Sequence, residues 1–307
     1  MRPLIAQHSH VEHRALQALG RHAVRALYAE VALEPKPGLV SFRDSGSHAD
    51  MTAATFVRSL FALRHYFPAA ARAGFSGSPF VVLEGWGRSA EARMLHATGG
   101  VNTHRGAVFG LGLLCASAGH LVARDRPITA LHLREVLLEQ WGTALTQRAA
   151  HARSRPPTSH GQRAAQRFGL RTAGDEAALG FPTLFCTTLP ALQSACSAGL
   201  PPRAAKVQAL FATMAVLDDT NLAHRGGQAG LNLVHSRAQQ FLENGGVWHP
   251  DWLAHARAIH AELVSLQLSP GGSADVLASA CWVQSVASAP TQPTPLLQTP
   301  ALQSALA

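Results

Sequence analysis

Apolar residues recur at every third or fourth position through most of this chain, which is the period of an α-helix. The clearest stretch runs from Val11 to Leu33, and the residues that would share its apolar face are Leu16, Leu19, Ala23, Leu27 and Val31. Aromatic residues make up only 6% of the chain while Ala and Leu are frequent, which favours helices over strands. No strand pattern alternates with these helices, so a Rossmann or P-loop sheet is not expected. The sequence predicts an all-α fold.

The 307 residues are long enough for one large domain or two ordinary ones. We predict a single multi-helix domain over residues 8–288, because related motifs lie on both sides of its least periodic segment. That segment, 151–167, is rich in Arg, Ser, Pro and His and is interpreted as a surface excursion. Residues 289–307 contain four Pro and predict a flexible tail. The apolar period also predicts one helix over Thr52–Arg72 and another over Glu84–Ala97.

Basic residues exceed acidic ones, with 26 Lys and Arg against 18 Asp and Glu and a formal net charge of +8. They are dispersed and form no stripe interleaved with aromatic residues, so a polyphosphate ligand is a better match than nucleic acid. No apolar run reaches the roughly 18 to 20 residues of a membrane span, and no signal peptide core is visible. The four Cys are far apart and predict reduced, mostly buried thiols in a cytoplasmic protein.

One short phrase occurs twice, as Asn102-Thr103-His104-Arg105-Gly106 and as Asn221-Leu222-Ala223-His224-Arg225-Gly226-Gly227. In each copy an amide precedes a His-Arg pair, a Gly follows, and an apolar helical stretch comes next. Each phrase is therefore expected where a loop enters a helix, and free N–H groups and the helix dipole favour an anion there. Arg adds a planar fork for phosphate oxygens, and Gly allows close approach of a ligand. The predicted ligand-binding residues are Asn102, His104, Arg105, Gly106, Asn221, His224, Arg225 and Gly226.

Polar side chains are concentrated in the loop that follows Pro35-Lys36-Pro37-Gly38. Lys36 and Ser45 are candidates for ligand binding, and Asp44, His48 and Asp50 are candidates for catalysis. Asp50 has an alternative interpretation as the N-cap of the next helix. Asp44 and His48 have no such local explanation.

Two further loops carry candidate site residues. Asp218 and Asp219 are adjacent, and their mutual repulsion requires a bound cation, a neighbouring Arg or a raised pKa. A capping role for Asp219 or Asn221 would explain one carboxylate but not both. Gly271, Gly272 and Ser273 open a later helix, where their backbone N–H groups either cradle a phosphate or form a plain connector.

These loops together resemble the triphosphoribosyl-dephospho-coenzyme A synthase family. The resemblance covers about Leu27 to Leu277, and its stretches occur in the family's order. They are Pro35-Lys36-Pro37-Gly38-Leu39-Val40 with Asp44-Ser45-Gly46-Ser47-His48-Ala49-Asp50-Met51, Asn102-Thr103-His104-Arg105-Gly106, Asp219-Thr220-Asn221 through His224-Arg225-Gly226-Gly227, and Ser269-Pro270-Gly271-Gly272-Ser273-Ala274-Asp275. The resemblance implies an all-α enzyme that converts ATP and 3′-dephospho-CoA into 2′-(5″-triphosphoribosyl)-3′-dephospho-CoA and adenine.

The product implied by the resemblance is the precursor of a prosthetic group, which passes to a holo-acyl-carrier-protein synthase step. Ser41-Phe42-Arg43-Asp44 and Phe181-Pro182-Thr183-Leu184-Phe185 resemble the malonate decarboxylase branch of the family more than the citrate lyase branch. One departure lies near Thr172, where the family pattern reads Arg-Gly-Glu-Ala. Here Glu176 is kept, but the Arg stands at position 171.

The implied reaction breaks an N-glycosidic bond at the ribose C1 of ATP and leaves the triphosphate unreacted. Lys36, Arg105 and Arg225 are expected to hold the triphosphate, together with Mg²⁺ bound by Asp50, Asp218 and Asp219. An oxocarbenium-like transition state requires a base for the incoming hydroxyl and an acid for adenine. The candidates are Asp44, His48, Asp50, Asp218 and Asp219, and the inversion implied by the family assigns one group to each loop. On this reading Asp219→Asn lowers turnover far more than thermal stability.

Two alternatives compete with this interpretation. An all-α, metal-dependent N-glycosyl hydrolase of the ADP-ribosyl type would use similar carboxylates but would need no acceptor pocket. A non-catalytic binding module would explain the basic charge but would leave the paired carboxylates and the repeated phrase unexplained.

Overall fold

The computed structural model describes residues 2–287, and within that range it contains helices but no β-strand. The predicted all-α fold is confirmed, and the predicted Pro-rich tail lies outside the described residues. The α-helices are α1 (Arg2–Val31), α2 (Ala53–Leu63), α3 (Tyr66–Phe75), α4 (Phe80–Ala97), α5 (Arg105–Val122), α6 (Ala130–Arg153), α7 (His160–Phe168), α8 (Ala173–Ala178), α9 (Leu189–Ser197), α10 (Pro202–Met214), α11 (Thr220–Glu243), α12 (Trp252–Ser265) and α13 (Gly271–Val286). A π-helical turn, Leu184–Thr188, precedes α9, and a 3₁₀ turn, Gly246–Trp248, precedes α12.

Helix α5 lies at the centre of the fold and contacts α1, α3, α4, α6 and α13. Its closest neighbour is α3, and small residues bring the two backbones together. A Cβ on Gly74 would overlap with the carbonyl of Ala116, and one on Gly119 would overlap with the carbonyl of Ala71. Among the described helices, α5 alone has the length and apolarity of a membrane span, but 72% of it is buried inside the fold. This burial is typical of a central core helix.

One continuous hydrophobic core joins the first helix to the last. It extends from Leu16 on α1 to Val283 on α13 and includes residues of most helices between them. Trp282 is fully buried in it, and its indole N–H donates to the carbonyl of Leu19 at 3.1 Å. A shared core of this kind holds the described residues together as one domain.

The prediction of one helix over Thr52–Arg72 is wrong, because the chain breaks at Arg64 and His65 between α2 and α3. The break places Pro68 in the first turn of α3, where a missing backbone N–H leaves no hydrogen bond unmade. The next predicted helix starts too late in the sequence. The apolar run before Glu84 is continuous with the helix after it, and both form α4.

The segment 151–167 is more regular than its composition suggested. It contains the end of α6 and most of α7, which begins with a capping box formed by Ser159 and Gln162. Ala164 and Ala165 are buried, and α7 packs along α11. Two small buried residues on a polar nine-residue helix are a weak periodic signal, so the sequence did not predict this helix.

The cysteine prediction is only partly right. All four Cys are free, but Cys186 and Cys196 are exposed, whereas Cys115 is buried.

Candidate functional site

The N-terminal ends of α5, α11 and α13 meet. One carboxylate side chain links α11 with α13, and another links α13 with α5. Asp219 is the N-cap of α11, where its Oδ1 accepts a hydrogen bond from the N–H of Asn221 at 3.0 Å. Its Oδ2 accepts from the N–H of Ser273 on α13, also at 3.0 Å. Only 1% of Asp219 is exposed. One carboxylate therefore satisfies free backbone donors of two helices.

Asp275 makes the second link, from α13 to α5. Its carboxylate faces the N–H of Ala107 in the first turn of α5, and this contact opposes the rise in its pKa. A Cβ on Gly106 would overlap with Asp275 Oδ2, so the Gly of the first repeated phrase makes room for this carboxylate. Asp275 was not among the predicted site residues, although it ends the Ser269–Asp275 stretch that carries the family resemblance.

A cavity opens beside these helix ends. Its polar wall contains Gly106, Arg171, Glu176, Asp218, Asp219, Thr220, Gly272 and Asp275, and its apolar wall includes Phe109, Phe181, Leu184 and Leu217. Convergent charged groups against an apolar wall are typical of a small-molecule site. A larger cavity between α1, α3 and α4 is lined by His65, Arg72 and Trp86 among others, and no carboxylate lines it. We therefore assign the site to the first cavity.

Arg171 compensates the paired carboxylates, which was one of the three possibilities raised by the sequence. Its backbone N–H donates to Asp218 Oδ2 at 3.1 Å, and its Nε lies 3.7 Å from the same oxygen. Its Nη1 lies 3.3 Å from Oε1 of the buried Glu176. The position of the Arg differs from the family pattern near Thr172, but folding still brings an Arg and a Glu together at the cavity.

Burial changes the acidity of two carboxyl groups at this site. It raises the pKa of Asp219, although hydrogen bonds from Ser273, Asn221 and Leu222 oppose the change. The pKa of Asp275 is raised well above its ordinary value, first by burial and then by the charges of Glu30 and Asp219. Of the carboxyl groups at this site, Asp275 is therefore the one whose surroundings most favour its protonated form.

The Asp44–Asp50 loop lies beside this cavity but does not line it. The Ser47 hydroxyl donates to the carbonyl of Leu268 at 2.6 Å, which ties the loop to the segment between α12 and α13. Asp44 Oδ1 accepts from the N–H of Gly46 at 2.9 Å within the same turn. The Asp50 side chain is 62% exposed and lies 3.6 Å from His48. The loop therefore meets the Ser269–Ser273 turn on one side, while Asp219 meets that turn on the other.

His48 is held in one tautomer by its neighbours. Arg225 Nη2 lies 2.9 Å from His48 Nδ1, and a guanidinium can only donate, so Nδ1 accepts. His48 Nε2 then carries the proton and donates to the Ser269 hydroxyl at 2.8 Å. Burial lowers the pKa of His48, and the charge of Arg225 lowers it further. His48 thus serves to connect the loop with the start of α13.

The three cations expected to hold the triphosphate are all engaged within the protein. Lys36 is 2% exposed, and its Nζ donates to Glu30 Oε1 at 2.5 Å. Arg105 forms an ion pair with Glu91. Arg225 donates to the carbonyls of Ser47 and Gln267 at 3.0 and 3.3 Å. Lys36 and Arg105 are thus paired with carboxylates, whereas Arg225 is held by backbone carbonyls and His48 and has no carboxylate partner among the described residues.

The first repeated phrase begins a helix as predicted, but its side chains have local partners. Asn102 Oδ1 accepts from the N–H of Arg105 at 3.1 Å and so caps α5. His104 is buried, and its Nδ1 lies 2.7 Å from the Ser59 hydroxyl. Burial, and then the charge of Lys36, lowers the pKa of His104 to about 3, so the ring is neutral. A neutral, buried imidazole does not supply positive charge to a ligand.

The second phrase differs from its prediction, because it lies within the first turns of α11 rather than in a loop before it. Asp219 caps the helix two residues upstream of the phrase, and Gly227, with a φ of 63°, kinks α11 where the phrase ends. Asn221 lies against Gly271, and Gly226 faces Leu268. His224 is exposed, and its ring centroid lies 4.1 Å from that of His160 on α7.

The start of α13 is not an open phosphate cradle. Ser273 donates its N–H to Asp219, and a Cβ on Gly272 would come within 3.0 Å of the same carboxylate. A Cβ on Gly271 would come within 3.0 Å of Asn221 Nδ2. The anion at this helix end is therefore the Asp219 side chain itself.

The predicted metal ligands do not converge in the part of the chain that the structure describes. That part contains no group of three or more His, Cys, Asp or Glu side chains placed to hold a metal ion. Asp218 and Asp219 line the cavity, whereas Asp50 lies on the neighbouring loop. Binding of Mg²⁺ by these three residues stays a prediction.

Comparison with known proteins agrees with this arrangement of motifs. Residues 16–292 match the family described as ATP:dephospho-CoA triphosphoribosyl transferase. The chain is also similar to a protein of Acinetobacter calcoaceticus named probable 2-(5''-triphosphoribosyl)-3'-dephosphocoenzyme-A synthase, with 37% identity over 266 residues, which is 84% of this chain and 90% of the relative. No solved structure matches. The predicted family and the predicted enzyme class, a transferase, are confirmed: the chain belongs to the ATP:dephospho-CoA triphosphoribosyl transferase family.

Proposed function

We propose that this protein transfers the 5-triphosphoribosyl group of ATP to the 2′-hydroxyl of 3′-dephospho-CoA and releases adenine. Family membership and the name of the Acinetobacter relative support the reaction class. The observation that carries the proposal to specific residues is the cavity at the starts of α5, α11 and α13, where Asp218, Asp219 and Asp275 converge. We further propose that the product serves malonate decarboxylase, with citrate lyase as the alternative, and that the reaction takes place in the cytoplasm.

Asp275 and Asp218 are the proposed acid and base. As the bond from the ribose C1 to adenine breaks, the Asp275 carboxyl donates its proton to a ring nitrogen of the leaving base. As the new C1–O bond forms, the incoming hydroxyl gives its proton to the Asp218 carboxylate. The raised pKa of Asp275 supports this assignment, because a carboxyl group whose surroundings favour its protonated form is suited to act as an acid.

The structure supports a different use of Asp219 from the one first expected. Both of its oxygens accept backbone hydrogen bonds, so it is better suited to align α11 and α13 than to transfer a proton. Asp44, His48 and Asp50 are proposed to support the Ser269–Ser273 turn from the other side, through the contact between His48 and Ser269.

Mg²⁺ is proposed to enter with ATP. When bound, it would neutralise charge on the triphosphate, and carboxylate oxygens with phosphate oxygens and water are its preferred ligands. With Asp218 assigned as the base, the ion would be held mainly by phosphate oxygens and water beside the carboxylate wall of the cavity. Fewer protein ligands are needed in this arrangement than in a dedicated metal cage.

The experiment that tests the function is adenine release from ATP and Mg²⁺, with and without 3′-dephospho-CoA, followed by mass spectrometry of the acceptor. We expect adenine only when the acceptor is present, in equal amount to a triphosphoribosyl adduct. Equal release without the acceptor would instead support the N-glycosyl hydrolase, and absence of release in both reactions would contradict catalysis by this protein.

The same assay locates the site through Asp275→Asn, which removes the proposed acid and keeps the side chain's shape. We expect turnover to fall by roughly 10²- to 10⁴-fold, as for loss of a general acid. Asp125→Asn is the matched control, because Asp125 is exposed in a turn with a φ of 49°, a conformation that Asn also tolerates. Equal activity of the two variants would contradict the role of Asp275.

A further inference from the structure

Three basic side chains meet where α7 packs along the first turns of α11. The rings of His160 and His224 lie with their centroids 4.1 Å apart and their planes tilted by 40°. Arg163 Nη2 lies 3.0 Å from His160 Nδ1, so the guanidinium donates to this ring. All three residues are exposed, and we call them the α7–α11 basic cluster.

The sequence on the α7 side of this cluster is poor in carboxylates. The sequence contains no Asp or Glu from position 140 to position 174. Arg153 and Arg171, at either end of this region, pair with Asp175 and with Glu176 and Asp218. Within residues 2–287, by contrast, no ion pair includes a member of the basic cluster.

The electrostatic consequence is seen at His224. Partial burial lowers the pKa of this ring, and the charges of His160, Arg163 and Arg225 lower it further. Arg225 donates to the Ser47 carbonyl of the Asp44–Asp50 loop, and Arg163 donates to His160 Nδ1, so the His160 ring is neutral and Arg163 supplies the positive charge of the cluster. A guanidinium beside two neutral imidazoles can bind an anion, because the guanidinium supplies the charge and the ring N–H groups add hydrogen-bond donors.

The cluster is adjacent to the cavity. Thr220 lines the cavity one helical turn before His224, so the two side chains lie on the same face of α11. Gly161 on α7 packs against Thr220, where an added Cβ would lie 3.0 Å from Thr220 Oγ1. The cluster therefore lies next to the part of the cavity wall that Thr220 forms.

We propose that His160, Arg163 and His224 bind the phosphate chain of a nucleotide substrate at the mouth of the cavity. The inference rests on the proposed function, and it answers a question that the site leaves open. Lys36, Arg105 and Arg225, which the sequence suggested for this role, are all engaged elsewhere. The triphosphate of ATP and the diphosphate of 3′-dephospho-CoA share the chemistry required, since both present several anionic oxygens to guanidinium and imidazole N–H donors.

The test compares Arg163→Gln with Arg167→Gln, which removes the same charge one turn further along α7. The Arg167 guanidinium lies 5.1 Å from the centre of the Phe168 ring and makes no contact with the two His. Binding of inorganic tripolyphosphate and of pyrophosphate is measured by calorimetry for the wild type and both variants. We expect R163Q to weaken binding about tenfold, the effect of losing a charge-assisted contact, and R167Q to leave binding within about twofold.

Steady-state kinetics then identify the substrate that uses the cluster. A higher KM for ATP in R163Q assigns the cluster to the triphosphate, and a higher KM for 3′-dephospho-CoA assigns it to the diphosphate. Equal weakening in R163Q and R167Q, or unchanged probe binding in R163Q, would overturn the proposal. The proposed function is tested separately, because it depends on adenine release by the wild type, whereas binding of the inorganic probes requires no turnover.

Discussion

Asp219 is shared between two helices, and this dual use decides what its substitution should do. Each oxygen accepts a backbone N–H, from Asn221 on α11 and from Ser273 on α13. An Asn at this position would keep one acceptor and turn an NH₂ group toward the other donor. The sequence suggested a residue whose loss affects turnover alone, but the structure gives it a structural role as well.

We therefore expect Asp219→Asn to lower the free energy of unfolding by about 1–3 kcal/mol, because a buried backbone donor loses its partner. Turnover should fall too, since the starts of α11 and α13 form the cavity wall. Chemical denaturation and the adenine assay measure the two effects on the same protein sample. Unchanged stability with lost turnover would return Asp219 to the catalytic role that the sequence first indicated.

At the scale of elements, helix α1 is joined to the loop after it by a buried ion pair. Glu30 near the end of α1 and Lys36 in the Pro-rich loop are 3% and 2% exposed, and their charged atoms lie 2.5 Å apart. Burial lowers the pKa of Lys36, while the charge of Glu30 acts in the opposite direction. The pair brings the loop that carries Asp44 and His48 back onto the core.

Lys36→Met should destabilise the protein by about 3–5 kcal/mol, because it leaves the Glu30 carboxylate buried without a partner. The double variant Glu30→Leu with Lys36→Met should recover most of this loss, since two apolar side chains need no mutual charge. Thermal unfolding of the single and double variants checks the prediction. If the double variant were no more stable than Lys36→Met alone, the cost would arise from packing rather than from the unpaired charge.

Helix α7 shows how a short element can matter more than its sequence signal suggests. Its buried apolar residues are two alanines, yet it places His160 and Arg163 beside the second repeated phrase. The pairing depends on where α7 packs, which no local pattern in residues 151–167 specifies.

At the scale of the whole molecule, the raised pKa of Asp275 makes stability depend on pH. The folded state holds this proton at pH values where the unfolded state, with an ordinary carboxyl pKa of about 4, has already released it. The folded protein then binds more protons than the unfolded chain, so the contribution of this group falls as pH rises through that window. The slope approaches about 1.4 kcal/mol per pH unit for one proton.

Asp275→Asn should remove this contribution, because an amide does not titrate. We expect the free energy of unfolding of the wild type, relative to the variant, to decrease from about pH 4 upward until Asp275 ionises in the folded state. Denaturation curves collected at several pH values for both proteins provide the measurement. A difference that stays constant with pH would contradict a raised pKa at Asp275.

Much of the fold could be predicted because helical periodicity is a local property. The steps of three and four in Leu16 to Val31 and the turn residues around Pro35 to Gly38 were sufficient to predict the body of α1 and its end, although the helix begins at Arg2 rather than at Val11. The break between α2 and α3 was not predicted, since an uninterrupted apolar stripe continues across it. The four motif stretches identified the family. In the structure, the first three of them contact the fourth, which is the Ser269–Asp275 turn.

The sequence by itself determined the all-α class, the family and the loops that build the site, because these depend on residue types and their spacing along the chain. Only the tertiary structure decided which side chains are free to meet a ligand. Lys36, Arg105 and Arg225 are suited to phosphate by type, but their partners Glu30, Glu91 and Ser47 are supplied by folding. The raised pKa of Asp275 and the convergence of the α7–α11 basic cluster are also decided by folding. Both depend on distances between helices that are remote in the chain.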